Sequence, residues 1–174
     1  MLKIYTPTYY QKSVHDINYL KLKKEGIKCL LFDLDNTLTP AHSKTLDNKT
    51  ISLIKKLKKM NFQIIIFSNS INKRVKIFGD LLDVPIMSFT CKPLKRGYLK
   101  VLKKYNLQKE EVLAIGDQFL TDIKGANKVG IKCMLLTPIV PKDFAITKIN
   151  RLIEKIIFKK LSQNKILKEG EYYD

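Results

Sequence analysis

The segment Ile27-Lys28-Cys29-Leu30-Leu31-Phe32 is apolar but for one lysine and stops abruptly at Asp33-Leu34-Asp35. A run of that length and character suits a strand buried on both faces of a parallel sheet. Two acids at its tip are costly in such a place unless they are paired or bind a cation. The rest of the chain repeats the alternation of strand-length apolar runs with amphipathic stretches of helix length. Further strands are expected at Gln63 to Phe67, near Pro85 to Ser88, at Val112 to Gly116 and at Lys132 to Leu136. Helices are expected at Asp47 to Met60, Asn72 to Leu82, Leu94 to Tyr105 and Thr121 to Val129, the last stopped by Gly130. Flanking helices are expected at about Gln11 to Lys23 and Phe144 to Leu161. This order predicts an α/β fold with a central parallel sheet of about five strands.

With 174 residues, 45% of them hydrophobic, the chain can bury a core without disulfides or metal staples, and one domain is expected. Residues 1–26 read as a helical extension, 27–140 as the core and 141–174 as a basic helix with a polar tail, partly disordered. Cys29, Cys91 and Cys133 are odd in number and lack C-x-x-C spacing, which argues against a disulfide framework or structural zinc. No N-terminal apolar h-region follows the first lysine, and runs such as Ile64 to Phe67 are too short to span a bilayer. A reducing cytoplasmic setting is therefore expected. The net charge of +17 favours anionic partners, whether nucleic acid, acidic lipid or a phosphorylated substrate, and equally fits lysines displayed on solvated faces.

In open α/β sheets ligands collect at the carboxyl ends of the strands. The residues there are Asp33, Asp35 and Thr37, then Ser68 and Asn69, then Lys92, then Asp117 and Asp122. As a set they suit phosphoryl transfer, which needs a nucleophile, a divalent cation, donors for the non-bridging oxygens and an acid for the leaving oxygen. Asp33 suits attack to form an aspartyl-phosphate. Asp35 suits proton transfer to the leaving alcohol and from the attacking water. Mg²⁺ ligation is expected from Asp33, the backbone carbonyl of Asp35, and Asp117. Ser68, Asn69 and Lys92 are expected on the phosphate. Asp122 is expected to orient Lys92 or a metal-bound water, with Thr37 in a supporting place.

Phe32-Asp33-Leu34-Asp35-Asn36-Thr37-Leu38, Ser68-Asn69, Lys92-Pro93 and Gly116-Asp117-Gln118 with Asp122 resemble, in order, the four motifs of the haloacid dehalogenase superfamily. Ser13-Val14 with Asp16-Ile17, Gly26-Ile27-Lys28, Arg74-Val75 and Gly116 to Asp122 are similar to the YqeG-type subfamily of its class IIIA phosphatases. The resemblance implies a Rossmann-like core, Asp33 as nucleophile, Asp35 as general acid and base, Ser68 and Lys92 on the phosphate, and Asp117 on Mg²⁺. The second acid, Asp35, is what the dehalogenases of that superfamily lack, so phosphatase chemistry is favoured.

Residues 38 to 67 and 69 to 91 leave no room for an inserted cap domain, so the site is expected to be open to a large or surface-borne phosphate. The resemblance extends to enzymes of mitochondria and plastids that dephosphorylate phosphatidylglycerophosphate, which makes that lipid the leading expected substrate. A phosphoprotein, a nucleic acid end or a soluble metabolite is the alternative. A basic RNA- or ribosome-binding module without turnover is the third reading, and no RNA-binding motif supports it. Ile149, Leu152, Ile153, Ile156, Ile157 and Leu161 form a stripe opposite Lys148, Arg151, Lys155 and Lys159. Such a helix either packs on the sheet or lies on the anionic inner face of a membrane. Oligomeric state has no signature in the sequence.

Overall fold

The computed structural model describes residues 2–140 and 145–173, with side chains from residue 152 onward in the last helix. Phe144 and the side chains of Lys148, Ile149 and Arg151 lie outside the described residues. Six strands are described: β1 (Tyr9–Gln11), β2 (Cys29–Phe32), β3 (Gln63–Phe67), β4 (Ile86–Met87), β5 (Val112–Gly116) and β6 (Lys132–Leu136). The helices are α1 (Tyr19–Lys24), α2 (Asn48–Lys59), α3 (Asn72–Leu82), α4 (Lys95–Tyr105), α5 (Lys124–Val129) and α6 (Ala145–Gln163). All strands are parallel, in the order β1-β6-β5-β2-β3-β4.

The strands bury both faces by alternation, since successive side chains of a strand point to opposite sides. Leu30, Phe32, Ile64, Ile66, Leu113 and Ile115 face one way, against Ile54 and Leu57 of α2 and Val75 and Phe78 of α3. Cys29, Leu31, Ile65, Phe67 and Ala114 face the other, against Tyr98 and Val101 of α4, Ala126 of α5 and Ile157 and Leu161 of α6. The result is three layers. Helix α2 starts where Asp47 accepts from the backbone N–H of Thr50 at 2.6 Å, and α5 stops at Gly130 with φ 79°.

The chain order along the sheet reverses between β2 and β5. From β2 it proceeds outward to β3 and β4; from β5 it proceeds the other way to β6, beyond which lies β1, the first strand of the chain. The crevice past the carboxyl ends of these two strands is therefore the topological switch point, where α/β sheets bind ligands. Only residues 33–47 separate β2 from α2, and residues 68–71 separate β3 from α3, so no cap domain covers it.

Two expectations need correction at the two ends of the chain, and the expected sheet of about five strands gains a sixth at its edge, because Tyr9–Gln11 pairs with Met134 to Leu136. The expected helix at Gln11 to Lys23 is turns, bends and irregular chain over residues 12–18 after the strand ends at Gln11, with helix confined to Tyr19–Lys24 behind an Asn18 cap. The tail, expected to be partly disordered, buries Leu167, and Tyr173 exchanges two 2.8 Å backbone hydrogen bonds with Tyr10. That exchange covers the free side of β1, an edge that would otherwise be open to another chain.

Candidate active site

Asp33 continues the β2 ladder by one residue, donating its N–H to the Ile115 carbonyl at 2.8 Å. Its carboxylate thus stands at the switch point, and it is 9% exposed. Lys92, 6% exposed, reaches it from the loop after β4, with Nζ 2.6 Å from Asp33 Oδ1 and 2.6 Å from Asp122 Oδ1. Asp122 lies on a π-helical turn, Phe119–Ile123, that leads into α5. Its second oxygen accepts from the Gln118 N–H at 3.2 Å and the Thr121 hydroxyl at 3.3 Å, and the Tyr98 hydroxyl donates to its carbonyl at 3.2 Å.

Gly116, the last residue of β5, is what lets Asp122 come so close. A Cβ there would lie 2.3 Å from Asp122 Cγ, so any side chain would push the carboxylate away. The next residue, Asp117, is buried beside the others, and oxygens of Asp33, Asp117 and Asp122 lie within 4.8 Å of one another. Among the described residues, three buried carboxylates surround the buried ammonium of Lys92, and this all-oxygen donor set fits a hard divalent cation such as Mg²⁺.

Burial pushes the Asp33 carboxyl up to about 7, against the pull of Lys92 and with a further push from Asp122 and Asp35. For Lys92, burial would lower the proton affinity, but Asp122 and Asp33 outweigh it and hold the ammonium above its ordinary value. The two directions oppose each other across one ion pair. Contact at 2.6 Å with two carboxylates decides for a charged Lys92; the rise at Asp33 expresses a dry pocket that a bound cation would relieve.

Asp35 sits close by, but its carboxylate is engaged on the far side. Ser70 Oγ donates to it at 2.7 Å and Arg74 at 2.5 Å, while Arg74 also donates to the Ser43 carbonyl at 2.5 Å. Arg74 therefore ties the loop after β2 to α3. Neither Ser70 nor Arg74 stood among the residues selected from strand ends. One signal was available: only three of the 33 basic residues are arginine, the side chain whose planar fork grips a carboxylate.

Ser68 is buried at the end of β3, its Oγ accepting from the Ser70 N–H at 3.1 Å. Asn69 hydrogen-bonds the backbone of Lys92. Its Oδ1 accepts from the Lys92 N–H at 2.7 Å and the Thr90 hydroxyl at 2.9 Å, and its Nδ2 donates to the Lys92 carbonyl at 3.0 Å. The amide braces the backbone that carries the lysine. Thr37 is buried in the turn after Asp35, and its hydroxyl has no hydrogen-bond partner among the described residues. Asp122 bonds Lys92 at 2.6 Å and also belongs to the carboxylate cluster.

A model of the haloacid dehalogenase-like hydrolases matches residues 41–130, a span that begins after Asp33 and Asp35. "Probable phosphatase YqeG" of Bacillus subtilis is 31% identical over 161 residues, covering 92% of this chain and 94% of that protein. "Phosphatidylglycerophosphate phosphatase 1, chloroplastic/mitochondrial" of Arabidopsis thaliana is 26% identical over 154 residues, covering 80% of this chain and 44% of that protein. Among solved structures, the cobalt-bound deoxy-D-mannose-octulosonate 8-phosphate phosphatase of Haemophilus influenzae superposes with a TM-score of 0.54 at 14% identity, covering 85% of this chain and 96% of that one. At that identity the likeness is one of fold.

Proposed function

The chain belongs to the haloacid dehalogenase-like hydrolases and is one of their phosphatases, and we propose that it is a Mg²⁺-dependent phosphomonoester hydrolase acting through an aspartyl-phosphate on Asp33. The observation that carries this reading is the cluster of Asp33, Asp117 and Asp122 at the switch point, with Lys92 bonded to two of the three. Bound there, Mg²⁺ offsets the repulsion between the carboxylates and a dianionic phosphate. Asp33 and Asp117 would hold it, with the backbone carbonyl of Asp35.

In the first step a carboxylate oxygen of Asp33 forms a bond to phosphorus while the ester P–O bond breaks. The leaving oxygen takes a proton from Asp35, which must exchange one of its bonds to Ser70 or Arg74 for that oxygen. In the second step water adds to phosphorus, the bond to Asp33 breaks, and Asp35 takes the water's proton. Lys92 and the Ser68 hydroxyl offer charge and a donor to the non-bridging oxygens. Asn69 serves by fixing Lys92.

The substrate favoured is phosphatidylglycerophosphate, converted to phosphatidylglycerol. Two things support it: the printed activity of the Arabidopsis relative, and a site uncovered by any cap. Phosphate release is to be measured on phosphatidylglycerophosphate in mixed micelles beside aryl phosphate and a panel of phosphopeptides, nucleotide ends and sugar phosphates. Activity that needs Mg²⁺ and vanishes in Asp33→Asn is expected, with the lipid cleaved fastest. Turnover by Asp33→Asn sinks the mechanism; a lipid no better than the panel sinks the substrate.

A further inference from the structure

Beside the carboxylate cluster a cavity of about 730 Å³ opens between the carboxyl ends of β1 and β6 and helix α6. It is lined by Asp117, by Tyr10, Phe119, Leu136 and Phe158, and by charged side chains that include Lys155, Lys159 and Glu154. The walls are packed rings, with Phe158 6.5 Å from Tyr10 and 6.3 Å from Phe119. A volume of this size is ample for a small-molecule ligand. The lining is mainly apolar and carries three lysines, Lys155, Lys159 and Lys168, beside Glu154 and Glu169; apolar walls that run up to a carboxylate of the phosphate-handling cluster suit an amphiphile whose anionic end enters first.

Helix α6 supplies a second observation. Ile157 and Leu161 are buried against the sheet, so the expected packing on the core is real. Leu152, Ile153 and Ile156 nonetheless stay 61%, 40% and 48% exposed. Leu152, Ile156 and Lys159 fall at helical spacings of four and three, so they share one face of the helix, next to the face that lines the cavity. Lys155 and Lys159 make no ion pair among the described residues. An apolar strip bordered by unneutralised lysines is the composition of a segment that rests on an anionic bilayer.

We infer that the cavity beneath α6 is the binding site for the glycerolipid end of an anionic phospholipid, and that the outer face of α6 seats the protein on the bilayer from which that lipid is drawn. The acyl end emerges past Phe158 into the membrane, the lysines meet the phosphodiester, and the terminal phosphate reaches Asp33. This rests on the lipid-substrate reading above and adds the surface that would select such a substrate.

Co-sedimentation with vesicles of phosphatidylcholine, alone or mixed with phosphatidylglycerol, tests the seating. Binding to the anionic vesicles only is expected, reduced about 30-fold in Lys155→Gln/Lys159→Gln, at roughly fivefold per lysine. Ser162→Trp, which fills the cavity from α6, tests the groove through the ratio of phosphatidylglycerophosphate to aryl phosphate turnover. A fall of at least about tenfold in that ratio is expected, equal to about 1.4 kcal/mol. Wild-type protein that ignores anionic vesicles, or a Ser162→Trp ratio unchanged from wild type, overturns the inference while leaving the phosphatase reading intact. Lipid turnover by wild type that is no faster than the soluble panel fails the substrate reading itself, before any variant is compared.

Discussion

Gly116→Ala is the smallest change that tests whether the position of Asp122 matters to catalysis. The new methyl carbon would stand 2.3 Å from Asp122 Cγ and 2.5 Å from its Oδ2, where ordinary contact begins at 3.4 Å. The carboxylate must therefore retreat by about 1.1 Å, being 3.4 less 2.3. Its 2.6 Å bond to Lys92 cannot survive that shift, and Lys92 then leans on Asp33 alone. A displacement of about 1 Å in a positioning group costs roughly 100-fold, or about 2.7 kcal/mol of transition-state stabilisation. The assay is kcat/KM for aryl phosphate with saturating Mg²⁺, with Tm measured on the same preparations. To separate a fold defect from a misplaced carboxylate, Asp122→Ala is added to Gly116→Ala. Removing the carboxylate relieves the contacts with Cγ and Oδ2 and leaves only the 2.7 Å approach of the residue 122 Cβ, so Tm should recover in part while activity stays low, the non-additivity of two residues in contact. Gly116→Ala with activity within about threefold of wild type would refute the steric reasoning, as would a double variant no more stable than the single one.

Arg74→Ala frees Asp35 from its ion pair and unties the Ser43 carbonyl; a loss of roughly tenfold to 100-fold in kcat is expected, and Arg74→Lys should restore little because a lysine lacks the fork. In EDTA, the folded Asp33 carboxyl at about 7 lies above its unfolded value near 3.9. The native state then binds more protons between those values, so stability is highest below about pH 4 for this group and declines as pH rises toward 7. Asp33→Asn should flatten that part of the Tm profile, and Mg²⁺ should raise the wild-type Tm most at pH 8; identical profiles for the two proteins would contradict it. Leu161→Ala removes a fully buried side chain that joins α6 to the sheet, with an expected cost of about 2–5 kcal/mol by denaturant unfolding.

Strands β3, β5 and β6 and helix α3 are readable in the chain because each is long enough, and buried enough, for its own pattern to declare it. Strand β1 is three residues long and owes its existence to partners in β6 and at Tyr173, far away in sequence, so no local window contains its cause. The same distance divides the legible part of the site from the rest. Asp33, Lys92, Asp117 and Asp122 stand where strands end, and a parallel sheet brings all those ends to one rim. Arg74 and Ser70 act on Asp35 across 39 and 35 residues, through a loop whose path only the folded chain displays. Asn69 shows a finer limit: a residue type suited to a phosphate can equally serve a neighbour's backbone, and spacing does not distinguish the two.

The exchange of hydrogen bonds between Tyr173 and Tyr10 also gives the last residues of the chain two jobs at once. The tail hems the outer strand, and on its way there Lys168 and Glu169 form part of the cavity wall beside α6. A protease cut after Leu161 would therefore leave a protein with an unguarded seam, prone to stitch itself to a neighbour, and with one side of the cavity beside α6 missing. Damaged copies would betray themselves by clumping, and a bulky tag fused after Tyr173 risks prising the same seam apart.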